Sequence, residues 1–356
     1  MSIPRIPSAW IVALALAPAA FVAAGCDEGG RGSAARDTAG SSARESRGVE
    51  PVQVDMEGTP VATSLLGEPL YPVVEDSATT ARLHAQLDSA EAAHEADPDD
   101  ADALIWLGRR YAYAGYYREA IEIFTEGIEA HPEDARFYRH RGHRYITVRE
   151  LDRAVDDLEH AARMISGSDD VAEPDGMPNE AGVPRSTLHT NIWYHLGLAR
   201  YLQHRFEGAA YAFRRGWQIS PNDDMRVAMA DWLWLALKRL GRHAEAATLL
   251  EQISPEMEIL ENDAYLHRLL VYKGELSPDS LTGGSLADAD PLDVATHGYG
   301  LGAWRLVQGD LPGARAAFRQ VLETRYWPAF GYIAAEAELR EMGDAEGPGS
   351  EPTSGS

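Results

Sequence analysis

Sulfur is nearly missing from this chain. One of 356 residues is cysteine, Cys26, which excludes a disulfide framework and any multi-cysteine metal centre. Positive charge is also scarce. The 32 Lys and Arg stand against 56 Asp and Glu, a formal net charge of -24. That sign argues against nucleic acid as the partner, because phosphate recognition needs basic patches. It favours solubility with some self-repulsion. Long apolar runs are missing too. The stretch Ala9–Ala24 is about 16 residues, interrupted only by Pro18, and roughly 20 are needed to span a bilayer.

The motifs of catalysis are equally scarce. There is no HExxH or its reverse, no GxSxG, no GxxxxGK[ST] and no GxGxxG after a strand. His140 and His143 lie at i and i+3, near enough to share an ion. A third ligand at suitable spacing is absent, however, and the flanking arginines repel a cation. The glycine-dense 298–302 stretch falls at helix-packing positions. The sequence assigns no catalytic residue, no metal and no cofactor, and the chain reads as a non-enzyme.

What is present begins at the N-terminus. Met1–Arg5 carries one positive charge, the apolar run follows, and Ala23-Ala24-Gly25 precede Cys26. Small residues at such a point mark a secretory signal peptide. Ending directly at cysteine, they resemble the lipobox of bacterial lipoproteins, although Ala23 stands where Leu is usual. That resemblance makes 1–25 the signal peptide and Cys26 an acylated first mature residue. It implies a cell-envelope protein on the periplasmic or extracellular side, touching the membrane through its lipid anchor. Residues 26–75 then read as a mostly disordered linker. Asp27 to Pro60 are rich in Gly, Ser, Ala and mixed charge, too polar to offset ordering entropy and suited to a tether. Val61–Glu75 has short apolar pieces broken by Pro69 and Pro72, suited to packing as an extended strip against the first helix.

The repeating part is clearest in 101–134. Numbered from Ala101, the unit has Leu104 at 4, Leu107 at 7, Gly108 at 8 and Tyr111 at 11. It continues with Gly115 at 15, Tyr117 at 17, Ala120 at 20, Phe124 at 24, Gly127 at 27 and Pro132 at 32. Positions 4, 7, 8 and 11 share one helix face, and 17, 20, 24 and 27 share another. Gly115 supplies the turn. This pattern resembles the tetratricopeptide repeat (TPR). The same register recurs at 135–168, 190–223, 227–260 and 295–328. It also leaves an acidic, proline-bearing loop inserted at 169–189 and a closing helix at 329–342. A helix over about 80–96 reads as an N-terminal half repeat. The array thus covers 76–342, and 343–356 is a Gly/Pro/Ser-rich tail. The resemblance implies an all-α helical-hairpin solenoid wound into a right-handed superhelix. Its usual role is to bind protein partners.

In such a solenoid, positions 2, 5, 9 and 12 of each first helix face the concave groove. Those positions hold Arg109, Arg136, Arg139, His143, Asn191 and Tyr194, a basic and polar patch in an acidic protein. Arginine forks suit a carboxylate, and Asn bonds peptide backbone. The expected partner is therefore a protein or peptide segment, acidic or carboxylate-ended. The competing expectation is that these arginines pair with local acids such as Asp102. Tyr194, Tyr201 and Tyr299 would serve as sugar platforms if the protein were instead an accessory lipoprotein for polymer or glycan uptake. A non-catalytic subunit of an enzyme or assembly complex is a further alternative.

Overall fold

The computed structural model describes residues 53–281 and 290–344. Residues 1–52, which hold the expected signal peptide, Cys26 and most of the expected tether, lie outside the described residues, as do 282–289 and 345–356. A small hairpin of β1 (Ala62–Thr63) and β2 (Pro69–Leu70) comes first, followed by α1 (Ser77–Ala96). Helical hairpins follow: α2 (Ala101–Tyr113) with α3 (Tyr117–Ala130), α4 (Ala135–Thr147) with α5 (Leu151–Met164), and α6 (Leu188–Leu202) with α7 (Phe206–Ile219). Next come α8 (Asp223–Arg239) with a short α9 (His243–Leu250), then α10 (Asp263–Lys273) and a 3-10 turn (Pro278–Leu281). The last hairpin is α11 (Pro291–Val307) with α12 (Leu311–Glu323), and α13 (Phe330–Glu341) closes the chain. First helices stack on one another, α2 on α4, α4 on α6 and α6 on α8. The molecule is an all-α hairpin solenoid.

Local chemistry starts each unit. Asp100, Asp134 and Asn222 accept backbone N–H bonds at the starts of α2, α4 and α8, and Thr187 with Thr190 forms a capping box at α6. Such caps contribute about 1 kcal/mol each. Inside the hairpins, the glycine at position 8 is where position 24 crosses. A Cβ on Gly108, Gly142, Gly197 or Gly302 would meet Phe124, Leu158, Phe213 or Phe318 at 2.4–2.7 Å. The glycines let each helix pair close to that contact. The fourth hairpin has Trp234 at this position. Its ring stacks instead on Tyr272 of α10, centroids 4.1 Å apart, so α10 takes part of the space that a longer α9 would have filled.

Position 15 of all five hairpins is left-handed. Gly115, Gly241 and Gly309 have φ of 86°, 70° and 85°, while Arg149 and His204 have 65° and 57°. A side chain in that conformation costs roughly 1–2 kcal/mol. Both non-glycine residues use theirs to hold α13. The Arg149 guanidinium pairs with Glu336 at 2.9 Å and donates to the Trp327 carbonyl at 2.8 Å. His204 faces Glu338 at 3.7 Å, and Arg239 binds the same carboxylate at 2.6 Å. Glu336 and Glu338 are 1% and 2% exposed.

The closing helix therefore does more than cover the last open face. It packs on α11 and α12 and also reaches α6. Phe330 brings its ring within 5.3 Å of His143, 5.7 Å of His195 and 6.1 Å of Tyr194. The linker is folded from residue 53 to 75, so that 53–60 differs from the expected disorder and the strip at 61–75 packs on the end of the chain as well as near the first helix. Ala62 and Leu70 are buried, Leu65 N–H donates to Glu336 at 3.1 Å, and Trp327 Nε1–H donates to the Tyr71 carbonyl at 2.7 Å. Its apolar pieces find a wall at the far end of the chain, which a local reading of composition does not reveal.

Glu336→Gln leaves the buried Arg149 guanidinium without a counter-charge. It is expected to destabilise the array by about 3–5 kcal/mol, read as a lower urea midpoint. An exposed control, Glu119→Gln, should leave the midpoint within about 0.5 kcal/mol of wild type.

Candidate functional site

The concave stripe is built as the register dictates, but it is not open. The inserted segment runs back across it. Ala172 pairs with Thr187 in an isolated antiparallel bridge, and Glu173 N–H donates to the Ser186 carbonyl at 3.0 Å. This lays 172–175 over α2 and α4, with a bend at 176–177. The Glu173 carboxylate sits 3.0 Å from Arg139 Nη2 and 3.7 Å from His140 Nε2, and it accepts from Asn191 Nδ2 at 3.0 Å. Arg109 Nη2 donates to the Pro174 carbonyl at 2.8 Å, and Arg110 Nη1 to the Gly176 carbonyl at 3.1 Å. Gly176 lies directly on Tyr113, where any Cβ would collide with the phenol. Farther along, Asn179 Nδ2 donates to Glu261 at 2.9 Å, and Arg185 pairs with Asp224 at 2.6 Å.

The sequence-predicted patch is thus brought together in part and covered. Arg109, Arg139, His143, Asn191 and Tyr194 are all buried. Arg109, Arg139 and Asn191 meet on the insert. His143 lies deeper, its ring 4.3 Å from that of His195. Tyr194 lies deeper still, its hydroxyl 2.6 Å from that of Tyr265 and accepting from Trp232 Nε1 at 3.1 Å. Only Arg136 stays at the rim, where its fork pairs with Asp134 at 2.6 Å and Asp102 at 2.5 Å. The expectation of an open carboxylate clamp is corrected by Glu173, which already occupies it. The tyrosine platforms are corrected likewise, since Tyr201 and Tyr299 are buried and hydrogen-bonded to each other at 3.1 Å.

What remains reachable is a cleft of about 240 Å³. Asp102, Trp106, Arg109 and Arg136 line it from the helices, and Ala172, Glu173 and Pro174 line it from the insert. The Arg109 guanidinium stacks 4.2 Å from the Trp106 ring centroid. Spacing alone did not reveal Glu173, Trp106 or His195 as parts of this site. The acidic composition of the insert was the available signal for Glu173, but nothing local says where an insert returns. Among the described residues, no group of three or more His, Cys, Asp or Glu is placed to hold a metal ion. No described helix is long and apolar enough to cross a membrane.

Among solved structures, the chain is similar to a tetratricopeptide repeat protein from Parabacteroides merdae at 18% identity and a TM-score of 0.43, over 73% of this chain and 92% of that one. It is similar to BtubC from P. vanneervenii at 15% identity and 0.40, over 79% and 98%. It is also similar to YrrB, a TPR protein with an unusual peptide-binding site, at 15% and 0.38, over 67% and 93%. No family model and no curated protein matches the chain. Its own 34-residue register decides the matter, with position 8 packed on position 24 and position 15 left-handed in hairpin after hairpin. The fold is a TPR-like array of helical hairpins.

Burial shapes the chemistry at the array's centre. Burial, with Arg139 and Arg109 nearby, holds His140 well below the ordinary imidazole value. Burial with Arg144 does the same for His143, and burial with Arg139 for His195. The folded state keeps these rings neutral, whereas the unfolded chain takes protons below about pH 6.5. Their stabilisation is therefore complete above that pH and is lost as pH falls below it, at up to about 1.4 kcal/mol per pH unit per ring. Burial raises Glu75 and Glu261 to about 7, and these carboxyls act with the opposite sign. The histidine contribution is thus a difference between variants. Between pH 7.5 and 5.5, wild type is expected to lose about 1 kcal/mol more stability than His143→Leu, measured by urea unfolding at each pH.

Proposed function

We propose that the chain is a non-catalytic scaffold, held at the bacterial cell envelope by acyl chains on Cys26, that binds an extended acidic protein segment in its concave groove. One observation carries the reading. The groove already holds such a segment, its own: the Glu173 carboxylate lies on Arg139 and Asn191, and the next carbonyl lies on Arg109. Side-chain charge on one arginine fork and main chain on a second is the contact set that an acidic extended peptide makes. The 240 Å³ cleft continues this track to the rim, where the Arg136 fork exchanges Asp102 for a partner's carboxylate. The partner then lies alongside 172–174 rather than alone in an open groove. The lipobox-like Ala23-Ala24-Gly25-Cys26 supports the anchoring, and residues 27–52 supply the tether.

Two measurements test this reading. A photoreactive residue at Trp106 in intact cells should capture a protein partner that one at the convex, 58% exposed Tyr211 does not. Arg136→Glu should reduce that capture severalfold. Equal capture at both sites would remove the groove from consideration. Separately, Cys26→Ser should move the protein from the membrane to the soluble fraction, and retention on membranes after a salt wash would sink the anchor.

A further inference from the structure

A cavity of about 310 Å³ lies between the folded linker, α1 and the α2–α3 turn. It shares no lining residue with the partner cleft. Four tyrosines line it, Tyr113, Tyr116, Tyr117 and Tyr326, and Val73 and Leu83 add aliphatic wall. His84 packs on Tyr116 at the same wall, ring centroids 6.5 Å apart. The carboxylates of the lining are Asp55 and Glu75, and no lysine or arginine is part of it. Two of its rings already lie against cations from outside the lining. The guanidinium carbons of Arg110 and Arg144 stand 5.4 Å and 5.6 Å from the centroids of Tyr113 and Tyr117.

The two carboxylates are not equivalent. Asp55 is engaged by its own turn, where its Oδ1 accepts the N–H groups of Glu57 and Gly58 at 3.1 Å. Glu75 is half-buried, and its carboxylate forms no ion pair with any described residue. Thr80 donates to its main-chain carbonyl, at 3.5 Å, and not to the side chain. Burial, with Asp76 and Asp290 nearby, raises it to about 7, and the pull of the exposed Arg82 is smaller than either repulsion. Such a carboxylate lacks a counter-cation, and withdrawing it from water without one is costly. The phenol rings around it present negative faces that attract the same sign of charge.

We propose that this cavity binds a small organic cation, an ammonium on an apolar body, its charge met by the Glu75 carboxylate and the tyrosine rings and its body lying against Val73 and Leu83. Carboxylate and rings act together. The carboxylate sets the sign of the ligand, and the rings favour a diffuse ammonium over a hydrated metal ion. The volume is at the lower end of small-molecule pockets. The site does not rest on the reading of the partner cleft.

The test uses the full chain, titrated calorimetrically at pH 8 with benzylamine, and with benzyl alcohol and benzoate as controls of the same shape. At that pH Glu75 is mostly ionised and benzylamine mostly protonated. Benzylamine should bind, and both controls should bind at least tenfold more weakly. Glu75→Gln keeps the shape and removes the charge. It should weaken benzylamine at least tenfold while leaving the ligand-free protein at least as heat-stable as wild type. The exposed Glu119→Gln should leave the affinity unchanged. Tyr116→Ala removes a ring that is 41% exposed, so the fold should survive, and benzylamine should weaken about threefold. This variant decides alone if Glu75→Gln does not fold. The proposal is overturned if benzylamine does not bind at millimolar concentration, or if either control binds as tightly. It is equally overturned if Glu75→Gln or Tyr116→Ala leaves the affinity unchanged. Equal losses in Glu75→Gln and Glu119→Gln would assign the binding to general surface charge and overturn it as well.

Discussion

The structure depends on two carboxylates of its last helix, Glu336 and Glu338, buried against Arg149, Arg239 and His204. A buried carboxylate is tolerable only where cations and donors surround it. Glu336 has the Arg149 fork and the Leu65 N–H, and Glu338 has Arg239 and His204. These groups come from the hairpin turns of the second and third units, from α8 and from the folded linker. Satisfying the two carboxylates therefore forces the end of the chain against its middle and its beginning. An open solenoid stabilises each repeat through its neighbours alone. Here the terminal helix adds contacts between units far apart in sequence, and the linker is fastened to that helix.

Closure changes what the concave face is for. In an open array, positions 2, 5, 9 and 12 of the first helices stay solvated for a partner. In this array Phe330 and the insert fill the axis, and those positions become core. Tyr194, Tyr201 and Tyr299 hydrogen-bond within it, His143 and His195 pack neutral against Phe330, and Arg139 is neutralised by Glu173. The binding chemistry survives only where the filling stops, at Trp106, Arg109 and Arg136.

Whatever is local in this fold was legible in the sequence. The glycine at position 8 and the large residue at 24 touch within a single hairpin, so a spacing of 16 residues carries their message. The same ruler placed Arg109, Arg136 and Arg139 on the concave stripe, and the structure has them there. The filling was not legible, because its contacts span the chain. Arg149 meets Glu336 across 187 residues, and Arg109 meets Pro174 across 65. No period encodes such a pairing, and an acidic loop or an amphipathic final helix reads the same whether it faces solvent or core. The wall on which the linker packs was not legible for the same reason, Trp327 lying 256 residues from Tyr71.

One local signal of the closure was nevertheless in the sequence. Three hairpins place glycine at position 15, where the backbone is left-handed, and two place Arg149 and His204 there instead. A side chain at such a position costs roughly 1–2 kcal/mol, so without compensation glycine would be the better choice. Both departures occur in the units that face α13, and both side chains end on its carboxylates. The Arg149–Glu336 pair deprived of one partner loses about 3–5 kcal/mol, enough to offset the strain of the turn that aims Arg149, whereas His204, which burial keeps from protonation, only lies 3.7 Å from Glu338. The two broken glycine positions thus mark which hairpins hold the closing helix. In a repeat array, a residue that breaks the consensus at a strained position identifies where a contact from outside the repeat arrives.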